Sequence, residues 1–458
     1  MSNNIILILF ILVLGISFVA IILKNWKWMP VFLLPILWYV PRQTATGGLL
    51  ENYIFLRWLS VLIIPLIIFI QLMRMVVHSK TIKFSKIILP LGFFVIVYLF
   101  SGILNHSGIM EILGSLILYI KYPLLFIILI NMNITKKVVN AFTFLFIFLV
   151  LLQIPECLYR GLILGIRSDT LSFTLGPWGT LDLGVYMIYA VAAFSAFGLV
   201  KSTKRMNLIY VLIFTLFFVI ALLGEIKGFI FAAPIVILFT VYGALGQKRK
   251  RVRVASALLF SSIPFILFFL IVSNWSKIYY GSSNTLTPFV HNLTNIFRNP
   301  FFYFENQSAG SAGSRISAGF VVWNYLSKNL STLLFGLGPG SSLAGNFFGH
   351  SGKLFNLNIP YLNQIGALLG EVGLIGFFIY FWMLVIILRI ILKANAFFSE
   401  EYLYILSASL IGIWFYYAVF GPFYDLIWRH DASSYIFYFY AAVIYNHYKE
   451  MELHSFSR

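Results

Sequence analysis

Continuous apolar runs of about twenty residues recur along this chain, separated by short polar connectors, and most are long enough to cross a bilayer as an α-helix. About thirteen such runs can be read, near 5–23, 28–40, 54–73, 88–104, 112–130, 138–158, 184–200, 207–224, 229–246, 254–273, 367–392, 402–420 and 433–447. The second is short enough to be tilted or re-entrant, and one span more or fewer would give fourteen or twelve and move the N-terminus to the other side. The first lacks the basic start and small-residue cleavage site of a secretory signal, so it is expected to stay in the mature protein. Composition points the same way. Of 458 residues, 61% are hydrophobic and 10% charged, against about 45–50% and 25% in soluble domains. One soluble core cannot bury that much apolar surface. A soluble enzyme, a disordered chain and a disulfide scaffold are therefore excluded. So is an outer-membrane barrel, whose strands alternate in polarity over about ten residues. The expected fold is an all-α polytopic integral membrane protein with about 12–14 transmembrane helices.

The formal charge is +18, from 32 Lys and Arg against 14 Asp and Glu. These basic residues do not line one soluble face, so nucleic acid is not the expected partner. They sit mainly in connectors, as positive-inside topology requires. With 74–86, 131–137, 201–206 and 247–253 inside, roughly 20 Lys and Arg face the cytoplasm and about 10 the other side. Lys248-Arg249-Lys250-Arg251 and Arg253 form the firmest anchor. The N-terminus is then outside and the C-terminus inside. Three regions follow: an N-terminal transmembrane bundle (1–273), a large outer loop (274–366) and C-terminal transmembrane helices (367–458). Cys157 is the one cysteine, which excludes an intramolecular disulfide and a thiolate metal site.

A loop as long as 274–366 is usually functional. It is rich in Asn, Ser, Gly and Phe, and is expected to fold against the membrane surface. Residues 314–330 read as a helix with Ile316, Phe320 and Trp323 on one side, broken by Gly336-Leu337-Gly338-Pro339-Gly340. The loop carries Lys277, Arg298, Arg315, Lys328 and Lys353 against the single acid Glu305. That excess of positive charge beside a bilayer suits a lipid phosphate or pyrophosphate. Lys277, Lys328 and Lys353 read as solvated surface. Arg315 differs, because it follows the small-residue stretch 309–314 and opens the helix. A guanidinium offers planar, permanently charged, bidentate recognition of phosphate oxygens.

Glu225 and Lys227 lie in a tight outer hairpin, where they form either a structural ion pair or part of a site. Lys121 is mid-span with no acid one turn away on its own helix; it snorkels, pairs with another helix or faces a polar cavity. Glu371, near the outer start of its span, either pairs with a basic residue or acts as a base. His350 in the long loop is the natural candidate to take a proton from a sugar hydroxyl, since an unperturbed imidazole titrates at about 6.5. No Asp-X-Asp and no His-X-X-X-His occurs, so no metal site is expected.

The order of three segments resembles the O-antigen polymerase and O-antigen ligase superfamily of bacterial envelopes. They are Leu334-Phe335-Gly336-Leu337-Gly338-Pro339-Gly340, then Tyr361-Leu362-Asn363-Gln364, then Gly370-Glu371-Val372-Gly373-Leu374-Ile375-Gly376. Leu175-Gly176-Pro177-Trp178-Gly179-Thr180 and the 224–228 hairpin are similar to family features upstream. One departure concerns the ligases, which usually carry a His-Asn pair ahead of the last motif. Asn363 holds the asparagine position here, but Leu362 holds the histidine position, which favours the polymerase.

The resemblance implies a GT-C-like, metal-independent, inverting glycosyltransferase without a cofactor, at the outer face of the bacterial cytoplasmic membrane. It would join polyprenyl-pyrophosphate-linked oligosaccharide repeat units into O-antigen, capsule or another exopolysaccharide. A chain-length regulator and a flippase would be partners beside the lipid bilayer. On that reading Arg315, Lys227 and Arg167 surround the pyrophosphate, with Lys121 below them. Trp178, Tyr361, Asn363 and Glu371 meet the sugars, and Arg315 and His350 carry the chemistry. The alternatives are a ligase that moves lipid-linked glycan onto a lipid A core, and a lipid-linked sugar flippase. Transporters place their sites near the midplane and usually show internal repeats.

Overall fold

The structure is a computed structural model that describes residues 25–43, 55–77, 83, 85–132, 134–165, 171, 175, 179–201, 204–224, 226–245, 312–342, 352–354, 362–429 and 431–456. Among them the chain is helical and contains no strand. A 3₁₀ turn at Trp26–Trp28 leads into α1 (Met29–Gln43). Then come α2 (Phe55–Val77), α3 (Ile88–Leu104), α4 (Ile109–Ile130), α5 (Lys136–Leu158), α6 (Thr180–Val200), α7 (Lys204–Leu223) and α8 (Lys227–Leu245). The C-terminal half holds α9 (Ala312–Leu326), α10 (Leu330–Phe335), α11 (Gln364–Phe397), α12 (Glu401–Phe415), α13 (Gly421–Tyr424) and α14 (Asp431–Phe456).

Six described helical stretches are long and apolar enough to cross a membrane: Ile109–Ile130, Lys136–Ile163, Thr180–Val200, Gly228–Leu245, Gln364–Phe397 and Glu401–Phe423. Shorter apolar helices cover Leu62–Met75, Ile88–Leu104 and Leu208–Leu223. The expected spans 5–23 and 254–273, and the basic cluster at 247–253, lie outside the described residues.

The last helix sits at the centre. Its residues from Ala432 to Tyr445 are buried on every side, and it packs against α4, α11, α12 and α1. A helix that is apolar all round belongs in a core. Here the apolar surface is largely aromatic: Tyr435, Phe437, Tyr438, Phe439 and Tyr440 mesh with Phe142, Tyr417 and Tyr122.

α11 is broken at Gly373, whose backbone (φ 63°, ψ −164°) lies outside the helical region. A break frees carbonyls that must find other partners in a water-poor setting. Leu337 N–H donates to the Gly370 carbonyl (2.7 Å), and the Ser341 hydroxyl donates to it as well (3.1 Å). The Ser101 hydroxyl of α3 bridges the Glu371 and Phe335 carbonyls at 2.9 and 2.6 Å.

The described part of the long loop docks on α11 through a small core of Ala318, Val322, Leu326, Leu337, Leu354 and Leu369. The described part of the apolar stripe is not the side that docks. Phe320 and Trp323 are exposed, while Ala318 and Val322 form the buried seam. Small residues win the contact because they let two helix backbones approach closely. The helix expected to run to 330 stops at Leu326. Asn329 caps a new helix by accepting the Ser331 N–H (2.9 Å), and Thr332 donates to the Leu326 carbonyl (3.0 Å). Gly336 therefore ends α10 rather than the longer helix before it.

Candidate functional site

Two glycine-bearing segments meet backbone to backbone. A Cβ on Gly336, which has φ 77°, would lie 2.6 Å from the Glu371 carbonyl carbon. One on Gly373, which has φ 63°, would strike the Leu334–Phe335 backbone. Both positions need φ values that other residues avoid. The contact fixes the break in α11 against the end of α10, and so fixes where the Glu371 side chain points.

A second set of contacts brings the connector after α13 over the same spot. Asn363 caps α11 by accepting the Gly366 N–H (2.8 Å) and donates to the Phe423 carbonyl (3.1 Å). Gln364 N–H donates to the Asp425 carbonyl (3.2 Å), and the Gln364 side-chain oxygen accepts Trp428 N–H (3.2 Å). Trp428 then stacks on Tyr380 with ring centres 4.7 Å apart. This clamp delivers Arg429 to Glu371.

Glu371 is fully buried. Its Oε1 accepts hydrogen bonds from Arg429 Nη2 (2.8 Å) and from the Ser342 hydroxyl, while its Oε2 accepts the Tyr98 hydroxyl. Arg429 Nη2 also donates to Ser342 Oγ (2.8 Å) and to the Tyr119 hydroxyl, and the guanidinium lies over the Tyr119 ring at 4.6 Å. Two residues after Tyr119 on α4, Lys121 pairs with Asp431, which also accepts the Tyr122 hydroxyl (2.6 Å). Asp431 is the first residue of α14, where a carboxylate also complements the helix dipole. Two ion pairs thus lie beside one another in the chain order of both α4 and the Arg429–Asp431 segment. Their low-dielectric setting strengthens each hydrogen bond and makes any unpaired group costly.

Of the residues singled out from sequence, the structure brings Glu371 and Lys121 into this cluster and sets Asn363 in the clamp beside it. Expected at a sugar, Asn363 is a buried helix cap whose amide oxygen and nitrogen are both engaged. Glu371, expected at a sugar as well, has both carboxylate oxygens occupied by protein donors and reaches no solvent. Lys121 takes the second of its sequence options, a pair with another helix. Arg315 falls in the first turns of α9 and Lys227 opens α8, but their side chains lie outside the described residues. Arg167, Trp178, His350 and Tyr361 also lie outside them. Sequence reading missed Arg429, Asp431, Tyr98, Tyr119 and Ser342. The available signal was Arg429-His430-Asp431, three ionisable residues directly ahead of an apolar run. Among the described residues no group of three or more His, Cys, Asp or Glu could hold a metal ion.

The Lys121 pair yields a direct expectation. Lys121→Met leaves the largely buried Asp431 without its cation, and removal of one partner from a buried pair costs about 3–5 kcal/mol. Lys121→Met/Asp431→Asn removes both charges and should recover most of that loss. Denaturant titration of the protein in mixed micelles measures both; a single variant within about 0.5 kcal/mol of wild type would contradict the pairing.

No known protein-family model matches the chain, and no curated protein sequence matches it.

Proposed function

We propose that this protein is a repeat-unit polymerase, a metal-independent inverting glycosyltransferase with about thirteen spans and a GT-C-like arrangement, working at the outer face of a bacterial cytoplasmic membrane. The observation that carries the reading is the meeting of the two glycine motifs behind the resemblance, which lock the Glu371–Arg429 pair at their junction. Glycines that serve only as loop would not need to interlock.

In the reaction, a hydroxyl of one lipid-linked repeat unit attacks the anomeric carbon of a glycan on polyprenyl pyrophosphate. The bond from that carbon to the pyrophosphate oxygen breaks, configuration inverts, and polyprenyl pyrophosphate leaves with the electron pair. Negative charge grows on the leaving group, so fixed cations provide the largest assistance. Arg315, Lys227 and Arg167 supply them on this reading, with Trp178 and Tyr361 as sugar platforms and His350 as the base. Glu371 holds Arg429 rather than meeting sugar, and Lys121 holds Asp431.

Arg315→Ala should lower transfer by at least about a hundredfold with normal insertion. Arg315→Lys should rescue poorly, because a point charge lacks the planar fork. Turnover near wild type in Arg315→Ala would remove this residue from the mechanism. To separate the alternatives, the protein in lipid is offered a second repeat unit and a lipid A core acceptor together. Product on the repeat unit supports the polymerase and product on the core the ligase. Movement of labelled lipid across the bilayer without transfer supports the flippase.

A further inference from the structure

Arg429 has hydrogen-bonding capacity that its pair does not use. All of its hydrogen bonds among the described residues leave from Nη2, to Tyr119, Ser342 and Glu371. Its Nε is buried and has no partner among the described residues. A guanidinium carries five N–H donors in a rigid plane, so three bonds from one nitrogen leave donors to spare. Glu371 and the Tyr119 ring hold that plane in place from two sides, so the free donors are directed rather than wandering. Of the cluster's two cations, Lys121 has 1% of its side chain exposed and Arg429 has 8%, so only Arg429 keeps a fringe that another molecule can touch.

We propose that Arg429 is an oxyanion-binding residue whose unbonded N–H groups take a phosphate oxygen, and that Glu371 is the residue that positions it. Among apolar helices the oxyanion that arrives with an apolar anchor is a lipid phosphate or pyrophosphate, and planar guanidinium donors match its geometry. That the lipid carries a glycan rests on the glycosyl-transfer reading; the oxyanion chemistry does not. Because Glu371 already balances the charge of Arg429, the anion is held by aimed hydrogen bonds rather than by a net positive field. A charged product can then leave.

The test is equilibrium binding to the full-length protein in nanodiscs of zwitterionic lipid. The probes are polyprenyl pyrophosphate, the neutral polyprenol of equal length, and inorganic pyrophosphate. Wild type should prefer the pyrophosphate lipid over the polyprenol by about 10- to 100-fold, the worth of one or two charge-assisted hydrogen bonds. Glu371→Gln/Arg429→Gln should lose that preference while binding polyprenol as wild type does, which shows the fold and the tail contacts intact. Arg429→Lys keeps the charge without the fork and should fall between the two. Competition by inorganic pyrophosphate as strong as by the lipid assigns the site to free phosphate, and weak competition assigns it to the lipid; both uphold the oxyanion chemistry. An unchanged preference in the double variant, or no preference in wild type, overturns it. An Arg429-dependent preference in a protein that joins no repeat units leaves this inference standing and removes the polymerase. Repeat-unit joining with the preference intact in the double variant does the reverse.

Discussion

Glu371→Ala destabilises the protein by about 3–5 kcal/mol and abolishes transfer. The size follows from what the carboxylate holds. It is fully buried and accepts from Arg429, Ser342 and Tyr98. Truncation leaves a buried guanidinium without its counter-charge and two hydroxyls without an acceptor, and each loss is a desolvation cost that nothing offsets. Glu371→Gln/Arg429→Gln removes both charges and should regain most of the stability, since exchange of a whole buried pair is often close to neutral. Transfer should not return with it. Denaturant titration and transfer assays on the single and double variants make the cycle, and a stable Glu371→Ala protein would show that the pair is not buried as described.

Gly373→Ala should be as damaging without touching a charge. Its backbone lies in a region that only glycine enters freely, and a Cβ there would strike the Leu334–Phe335 backbone, which has no rotamer to turn away. The end of α10 must shift off the broken helix, and Glu371 moves with it. Displacement of about 1 Å at a reacting site costs about a hundredfold in rate. Gly92→Ala on α3 is the matched control, since nothing lies within 4 Å of its added Cβ. Within a helix that change should leave stability level or raise it by about 0.5–1 kcal/mol. Equal rates in the two variants would mean that the interlock does not position the site.

The helical class, with helices long and apolar enough to cross a membrane, was legible because long apolar runs favour helices that satisfy their own backbone. The expected 88–104 span coincides with α3 to the residue. What pattern alone cannot show is which side of a helix its neighbours claim. Phe320 and Trp323 form a clear stripe, yet the helix docks by Ala318 and Val322. The last helix reads as an unremarkable span because tyrosine counts as half polar, although its rings fill the centre of the bundle. At the site, Glu371 and Lys121 stood out as ionisable groups in apolar runs, where such groups need a partner. Their partners Arg429 and Asp431 lie 58 and 310 residues away, beyond any local spacing rule. The two glycine motifs were visible as an ordered pair. That each supplies the gap the other needs is a fact of three dimensions.

The measurement that bears most directly on the account is extension, by the purified protein in lipid, of one polyprenyl-pyrophosphate-linked repeat unit with no other acceptor present. A ladder of products spaced by one repeat is expected, present in Gly92→Ala and absent in Gly373→Ala and Glu371→Gln/Arg429→Gln. Repeat units left unjoined by a folded wild-type protein, given its matched native substrate, would contradict it.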